Sequence, residues 1–168
     1  MFNIGSIEEL PINAIELEYA LQEIAAIESM VQPHDAWTYQ TLVELLKQDS
    51  ISMLVVYEEN NKKGVADNNV IGYCLYQVVF EQAEILRIGT HPDCQRQGIA
   101  SQLFVRLNQE LTSNQVESLM LEVRADNIPA IALYEQQGFA VIHQRKGYYQ
   151  SPHQPAVDAL IMQRVYGQ

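Results

Sequence analysis

Residues 84–100 read Glu84-Ile85-Leu86-Arg87-Ile88-Gly89-Thr90-His91-Pro92-Asp93-Cys94-Gln95-Arg96-Gln97-Gly98-Ile99-Ala100. The β-branched and apolar residues up to Thr90 predict a strand over 84–90, and His91-Pro92-Asp93 stops it, because proline has no N–H to extend a ladder. From Gly98 to about Leu111 the apolar residues Ile99, Leu103, Leu107 and Leu111 fall at helical spacing. The junction is therefore strand, short loop, helix. A helix start exposes unpaired backbone N–H groups and the positive end of its dipole, which together bind an anion. Gly98 and Ala100 would let the backbone approach such an anion, and Arg96 could add a charge-assisted contact. A glycine-containing loop that simply starts a helix is the alternative.

Working outward, the pattern predicts a short N-terminal strand over Phe2–Ile7 and a helix over Ala14–Met30, with Leu17, Leu21, Ile24 and Ile27 at helical spacing and Pro11 ahead of it. Val31–Trp37 breaks that helix. A second starts near Thr38, an N-cap residue type, and turns Leu42, Leu45 and Leu46 inward. Ile51–Tyr57 reads as a strand, and Glu58–Asn69 as a charged, Asn-rich loop holding Gly64. Strands are predicted at Val70–Phe80 and Glu84–Thr90 with Glu81-Gln82 between them, then at Ser118–Arg124, Phe139–Tyr149 and Val157–Val165; a further helix is predicted over Asn127–Gln137, ended by Gly138. The expected fold is one α/β domain over residues 1–168, a mixed and largely antiparallel sheet of six to seven strands flanked by about four helices.

The 168 residues suit one domain, and 48% hydrophobic content can supply a core. No apolar run approaches the ~20 residues that span a bilayer, and Met1-Phe2-Asn3-Ile4-Gly5 lacks the basic and apolar regions of a secretory signal. A cytoplasmic protein is expected. Cys74 and Cys94 suggest neither a disulfide framework nor a metal cluster, and His34, His91, His143 and His153 show no metal spacing. No metal is expected. A formal charge of −11 opposes nucleic acid and anionic membranes and favours a cationic partner.

A second stretch carries chemistry. In Leu119-Met120-Leu121-Glu122-Val123-Arg124, strand alternation sets Met120, Glu122 and Arg124 on the face opposite Leu119, Leu121 and Val123. A glutamate inside an apolar strand costs free energy unless it is paired or has a chemical role. Two readings stand: an ion pair such as Glu122–Arg124, or a carboxylate that handles protons. Just downstream, Asp126 or Asn127 caps a helix in which Pro129 fits the first turn and Gly138 ends the last. Tyr134 lies two turns after Asn127; by residue type alone it is a packed tyrosine with a satisfied hydroxyl.

Gln95, Gly98 and Ala100 match the Gln/Arg-x-x-Gly-x-Gly/Ala fingerprint of the GNAT superfamily of N-acetyltransferases, in the strand–loop–helix setting where that family keeps it. The string Leu-Glu-Val-Arg-Ala-Asp-Asn-x-x-Ala-Ile-Ala-Leu-Tyr-Glu-x-x-Gly-Phe, residues 121–139, resembles the RimI type, the bacterial ribosomal-protein alanine N-acetyltransferases. The resemblance spans nearly the whole chain and is sharpest over 85–149. It implies that acetyl-CoA is the co-substrate. Ile88, Gly89 and Thr90 would bind its pantetheine and acetyl carbonyl, and Gln95, Arg96, Gln97, Gly98, Ile99, Ala100 and Ser101 its pyrophosphate. Asn127 would be a further coenzyme contact.

The same resemblance makes Glu122 the general base and Tyr134 the general acid. It also makes Val31–Trp37 and Tyr148–Pro155 walls of an acceptor groove, although Trp37 is as readily a core residue. The segment His143–Tyr149 is similar to that type's Arg-Arg-Asn-Tyr-Tyr-Pro, whereas Gln150–Pro155 and the longer 58–69 loop depart from it. The implied acceptor is a protein with a basic N-terminus, the alanine of the eighteenth small-subunit ribosomal protein. No nucleic acid or membrane partner is implied, and a monomer is the default. The alternatives are acetylation of a small amine or a lysine side chain, or a coenzyme-binding module without turnover. A binder needs the cradle but not the acid–base pair.

Overall fold

Seven strands lie in the order β1-β2-β3-β4-β5-β7-β6 in the computed structural model of the protein, which describes residues 4–10, 13–59 and 69–167. The strands are β1 (Ile4–Leu10), β2 (Ile51–Glu58), β3 (Val70–Val79), β4 (Gln82–Thr90), β5 (Ser118–Arg124), β6 (Ala140–Tyr149) and β7 (Val157–Val165). Four helices accompany them: α1 (Ala14–Val31), α2 (Tyr39–Leu46), α3 (Ile99–Ser113) and α4 (Ile128–Gln136). The pairings β1–β2, β2–β3, β5–β7 and β6–β7 are antiparallel, and β4–β5 is parallel. This is the expected mixed α/β sheet. Phe2 and Pro11 lie outside the described residues, as does most of the predicted 58–69 loop. Two compact units are described in turn below, Met1–Gln77 with Leu86–Gln109, and Val78–Ile85 with Glu110–Gln168.

In the first unit, β2 is buried at every position from Met53 to Tyr57, as expected of a strand with both faces covered. Met53, Val55 and Tyr57 join Leu21, Ile24 and Ile27 of α1, Leu42 of α2, and Tyr73 and Leu75 of β3 in one apolar cluster. α1 starts where the Asn13 side chain accepts from the N–H groups of Ile15 and Glu16, and α2 where Thr38 accepts from Thr41. The other face of β3 meets α3. A Cβ on Gly72 would sit 2.8 Å from Cγ2 of Ile99, so that glycine lets the start of α3 press against the sheet. Gly89 is empty for a related reason, because a Cβ there would fall 2.6 Å from Cζ of Tyr73.

In the second unit, β4 pairs with β5 from Gln82↔Ser118 to Ile85↔Leu121. β5 then pairs with β7 along its whole length, from Ser118↔Val165 to Arg124↔Ala159. β6 is the sheet edge, exposed over most of its length, with register shifts between Val141 and His143 and between Arg145 and Tyr149. The turn between β3 and β4 falls at Phe80-Glu81, one residue earlier than the spacing predicts, with Phe80 at φ 55.

Both cysteines are buried and free, and burial pushes the Cys74 thiol up to about 12. A thiol-specific disulfide reagent should therefore leave the native protein almost unmodified and titrate 2 thiols once it is unfolded. The Gly89 contact gives a second expectation: Gly89→Ala overpacks Tyr73 and should lower stability by about 1–3 kcal/mol in urea unfolding.

Candidate active site

The cradle predicted at Gln95–Ala100 is a turn of unusual backbone. Pro92–Cys94 forms a 3-10 turn, capped by His91 Nδ1, which accepts from the Asp93 N–H at 3.2 Å. After it the chain places Arg96 at φ 60 and Gly98 at φ +83. The left-handed region suits glycine and is uncommon for arginine. Gln95 and Gln97 donate to the backbone carbonyls of Thr90 (3.4 Å) and Asp93 (3.3 Å), bracing the turn from within. Nothing lies within 4 Å of the place a Cβ would take on Gly98. Residues 95–98 are exposed and α3 begins at Ile99, so the N–H groups of its first turn face open space. The predicted residues Ile88, Gly89, Thr90, Gln95, Arg96, Gln97, Gly98, Ile99, Ala100 and Ser101 thus form one continuous strand–turn–helix path. Its shape fits a pyrophosphate.

Beneath β4 lies a charged network to which the sequence offered one clue. Glu28 is seven residues, two helical turns, after Leu21, and so belongs to the buried stripe of α1; its exposure is 0%. Tyr73 donates its hydroxyl to Glu28 Oε1, and the Trp37 N–H donates to Oε2 at 3.1 Å. Arg87 Nε lies 3.6 Å from the same oxygen. Burial, and then the Glu28 carboxylate, hold the Tyr73 phenol far above the usual range. The side chain of Trp37 is only half-buried and lies under the Arg87 guanidinium, whose central carbon is 4.4 Å from the ring centroid.

In the second unit, Glu122 is not paired with Arg124. The Arg124 guanidinium makes two hydrogen bonds to Asp126, at 3.0 and 2.9 Å, and they hold the Asp126 carboxyl below its usual range. Glu122 instead accepts from the Tyr149 hydroxyl at 3.0 Å and from Arg145 at 3.4 Å. The register explains the choice. Arg124 and Arg145 both sit opposite Ala159, on either side of β7, while Glu122 sits opposite Ile161. A methyl group between the two arginines leaves long side chains on β6 free to cross towards β5. Partial burial, followed by the hydrogen bond to Glu122, pushes the Tyr149 phenol up to about 12, so it stays a donor through neutral pH. Sequence reasoning put Tyr149 in a groove wall but missed it as a partner of Glu122, since that pairing depends on strand register.

Asn127 and Tyr134 are set by the two ends of α4. The Asn127 side chain accepts from the Ala130 N–H at 3.3 Å and so acts as the N-cap. At the other end, Gly138 at φ +86 donates to the Glu135 carbonyl and Phe139 to the Tyr134 carbonyl, each at 3.0 Å. This is the Schellman closure, and its usual apolar contact is present: the rings of Phe139 and Tyr134 are 6.0 Å apart. Tyr134 is thereby buried and fixed. Among the described residues no cluster of His, Cys, Asp or Glu could hold a metal ion.

Residues 17–139 match the acetyltransferase (GNAT) family, and the chain belongs to that family. More particularly, it is similar to the [ribosomal protein bS18]-alanine N-acetyltransferase of Salmonella typhimurium, 41% identical over 102 residues that are 61% of this chain and 68% of that enzyme. The enzyme of the same name from Escherichia coli K12 is 40% identical over 57% of this chain and 64% of its own length. The crystal structure of the Escherichia coli ribosomal-protein-S18-alanine N-acetyltransferase superposes with a TM-score of 0.79 at 29% identity, covering 97% of this chain and 94% of that one. Arabidopsis thaliana NAA60 in complex with acetyl-CoA shares the fold, with a TM-score of 0.77 at 19% identity over 96% of this chain and 99% of that one.

The cap makes a stability test. Asn127→Ala should cost about 1 kcal/mol in chemical denaturation and Asn127→Asp should restore most of it, since either carbonyl oxygen can accept from Ala130.

Proposed function

We propose that this protein transfers the acetyl group of acetyl-CoA to the free α-amine of a protein N-terminus, and that its acceptor is the N-terminal alanine of ribosomal protein bS18. The observation that carries the proposal is the match to the Escherichia coli enzyme across 97% of the chain, joined to the 41% identity with the Salmonella typhimurium enzyme. The family match from 17 to 139 supports reading 1–168 as one acetyltransferase domain.

The cradle residues Gln95–Ser101 would hold the pyrophosphate. The backbone of Ile88-Gly89-Thr90 would bind the pantetheine arm, and Asn127 would add a contact. Acetyl-CoA supplies a thioester carbon open to attack by a neutral amine. An N-terminal amine arrives protonated, and Glu122 is the group to take that proton. Its Oε1 is held by Tyr149, while Oε2 has only the long contact to Arg145. As the amine nitrogen bonds to the carbonyl carbon and the C–S bond breaks, the Tyr134 phenol gives its proton to the departing sulfur. The net products are an amide and the free thiol. The charge of −11 attracts a basic N-terminal segment at long range.

A small-amine acceptor is the second reading. It is favoured by a cleft of about 330 Å³ in the first unit, lined by Glu23, Glu58 and Asp93 together with His91 and Cys94.

The deciding experiment is acetyl transfer to a panel: a basic peptide with N-terminal alanine, the same peptide blocked at its α-amine, a lysine peptide and spermidine. Acetylation of the free α-amine in preference to the rest is expected; acetylation of spermidine alone would overturn the protein-acceptor proposal. On the accepted amine, Glu122→Gln and Tyr134→Phe should each fold normally and lower kcat by about 10²–10³-fold, the size of a proton-transfer contribution. A variant with undiminished kcat removes that residue from the mechanism.

A further inference from the structure

The segment from Gln32 to Thr38 joins α1 to α2 without helix or strand, so side chains must set its path. One residue of β4 supplies most of the hold. Arg87 Nη2 donates to the Asp35 backbone carbonyl at 2.6 Å and to its carboxylate at 2.8 Å, and the guanidinium plane covers Trp37. From the helix side, Glu28 fixes the Trp37 N–H. Three consecutive loop residues are thus gripped at a carbonyl, a carboxylate, a ring and an N–H. The Arg87 side chain is 14% exposed and the Asp35 side chain 80%. The inner end of the clasp is anchored in the core, and its outer end lies at the surface. Arg87 Nε, buried, has no hydrogen-bond partner, so the polar hold of Arg87 on the loop runs through Nη2 alone.

We infer that Arg87 is a positioning residue for the acceptor: by clasping Asp35 and Trp37 it sets the α1–α2 loop in a binding-ready shape before the acceptor arrives. The inference rests on the proposed function, in which Val31–Trp37 forms one wall of the acceptor groove. Its physical content is pre-organisation. Ordering a loop of this length at the moment of binding would subtract from affinity, and a loop already ordered spares that cost. Only arginine suits the position, because the planar guanidinium can fork onto two oxygens while stacking on an indole; a lysine ammonium cannot do both. The clasp also sits one alternation away from the coenzyme strand. Arg87 and Gly89 point to the same face of β4, and Tyr73 packs over Gly89 while donating to Glu28.

The chain's one tryptophan is Trp37, which lets the clasp be read without any substrate. The experiment compares wild type with Asp35→Ala, Arg87→Met, Arg87→Lys and the double variant Asp35→Ala/Arg87→Met. For each, acrylamide quenching of Trp37 fluorescence is measured along with the KM and kcat for the basic N-terminal alanine peptide. Asp35 is exposed, so Asp35→Ala keeps the test valid should Arg87→Met fold poorly. Quenching is expected to rise in Asp35→Ala and Arg87→Met. The acceptor KM should rise about tenfold or more, as for loss of a charge-assisted hydrogen bond, with the larger share of the loss in KM rather than kcat. Arg87→Lys should fall between, and the double variant should be little worse than Arg87→Met alone.

Unchanged quenching in both single variants overturns the clasp. Raised quenching with an unchanged acceptor KM overturns the positioning role and leaves the clasp as mere scaffolding. If wild type ignores the peptide, the protein-acceptor proposal is what fails. Quenching then still decides the clasp, and KM for whichever panel amine is acetylated decides the positioning.

Discussion

A carboxylate with no exposed surface can remain in a protein core only if its charge is answered, since the desolvation penalty of an unpaired ion is several kcal/mol. Glu28 meets that condition with a phenol, a backbone N–H and a guanidinium, drawn from β3, the α1–α2 loop and β4. These partners are 45, 9 and 59 residues away in sequence (73 − 28, 37 − 28 and 87 − 28). One ionised group therefore fixes where the first unit's sheet lies against α1, and it does so directly under the strand that carries Gly89. The empty side of Gly89 belongs to the same arrangement, because it is where the Tyr73 ring packs.

The remaining site chemistry depends on how two short elements end. The cradle depends on a strand that stops at a proline turn and a helix that starts after two left-handed residues, which leaves N–H groups turned outward with no side chain over them. The Tyr134 ring depends on a helix that stops at Gly138, where the Schellman closure folds Phe139 back onto it. In both places a glycine at positive φ turns local backbone geometry into a position for a functional group. Glu122 is set differently, by strand register, with Tyr149 holding one of its oxygens.

Much of this was legible in the residues. The boundaries of β5 and β7 coincide with the apolar alternation, and Thr38, Pro92 and Gly138 mark ends that the structure keeps. Those are local signals, read from propensity and capping. What escaped was set by contacts distant in sequence. The β3–β4 turn sits at Phe80-Glu81 because the strand pairing leaves two residues over, and nothing about a phenylalanine announces a φ of 55. The expected Glu122–Arg124 pair fails because Asp126 lies two residues from Arg124 and offers it a two-oxygen grip, while Ala159 leaves room for Arg145 and Tyr149 to reach Glu122. Glu28 was visible as a glutamate on an apolar helix stripe, but the identity of its partners was not.

The register shifts along β6 bear on how copies of this protein behave in company. A ten-residue strand at the margin of a sheet offers a ladder onto which a like strand could zip. Here the ladder is broken at 141–143 and again at 145–149, and its middle carries Arg145 and Lys146. A second copy laid antiparallel along it would have to match both breaks and bring cationic side chains close together. The margin of the sheet is thereby guarded against runaway strand addition, leaving β6 to present side chains rather than backbone to whatever approaches it.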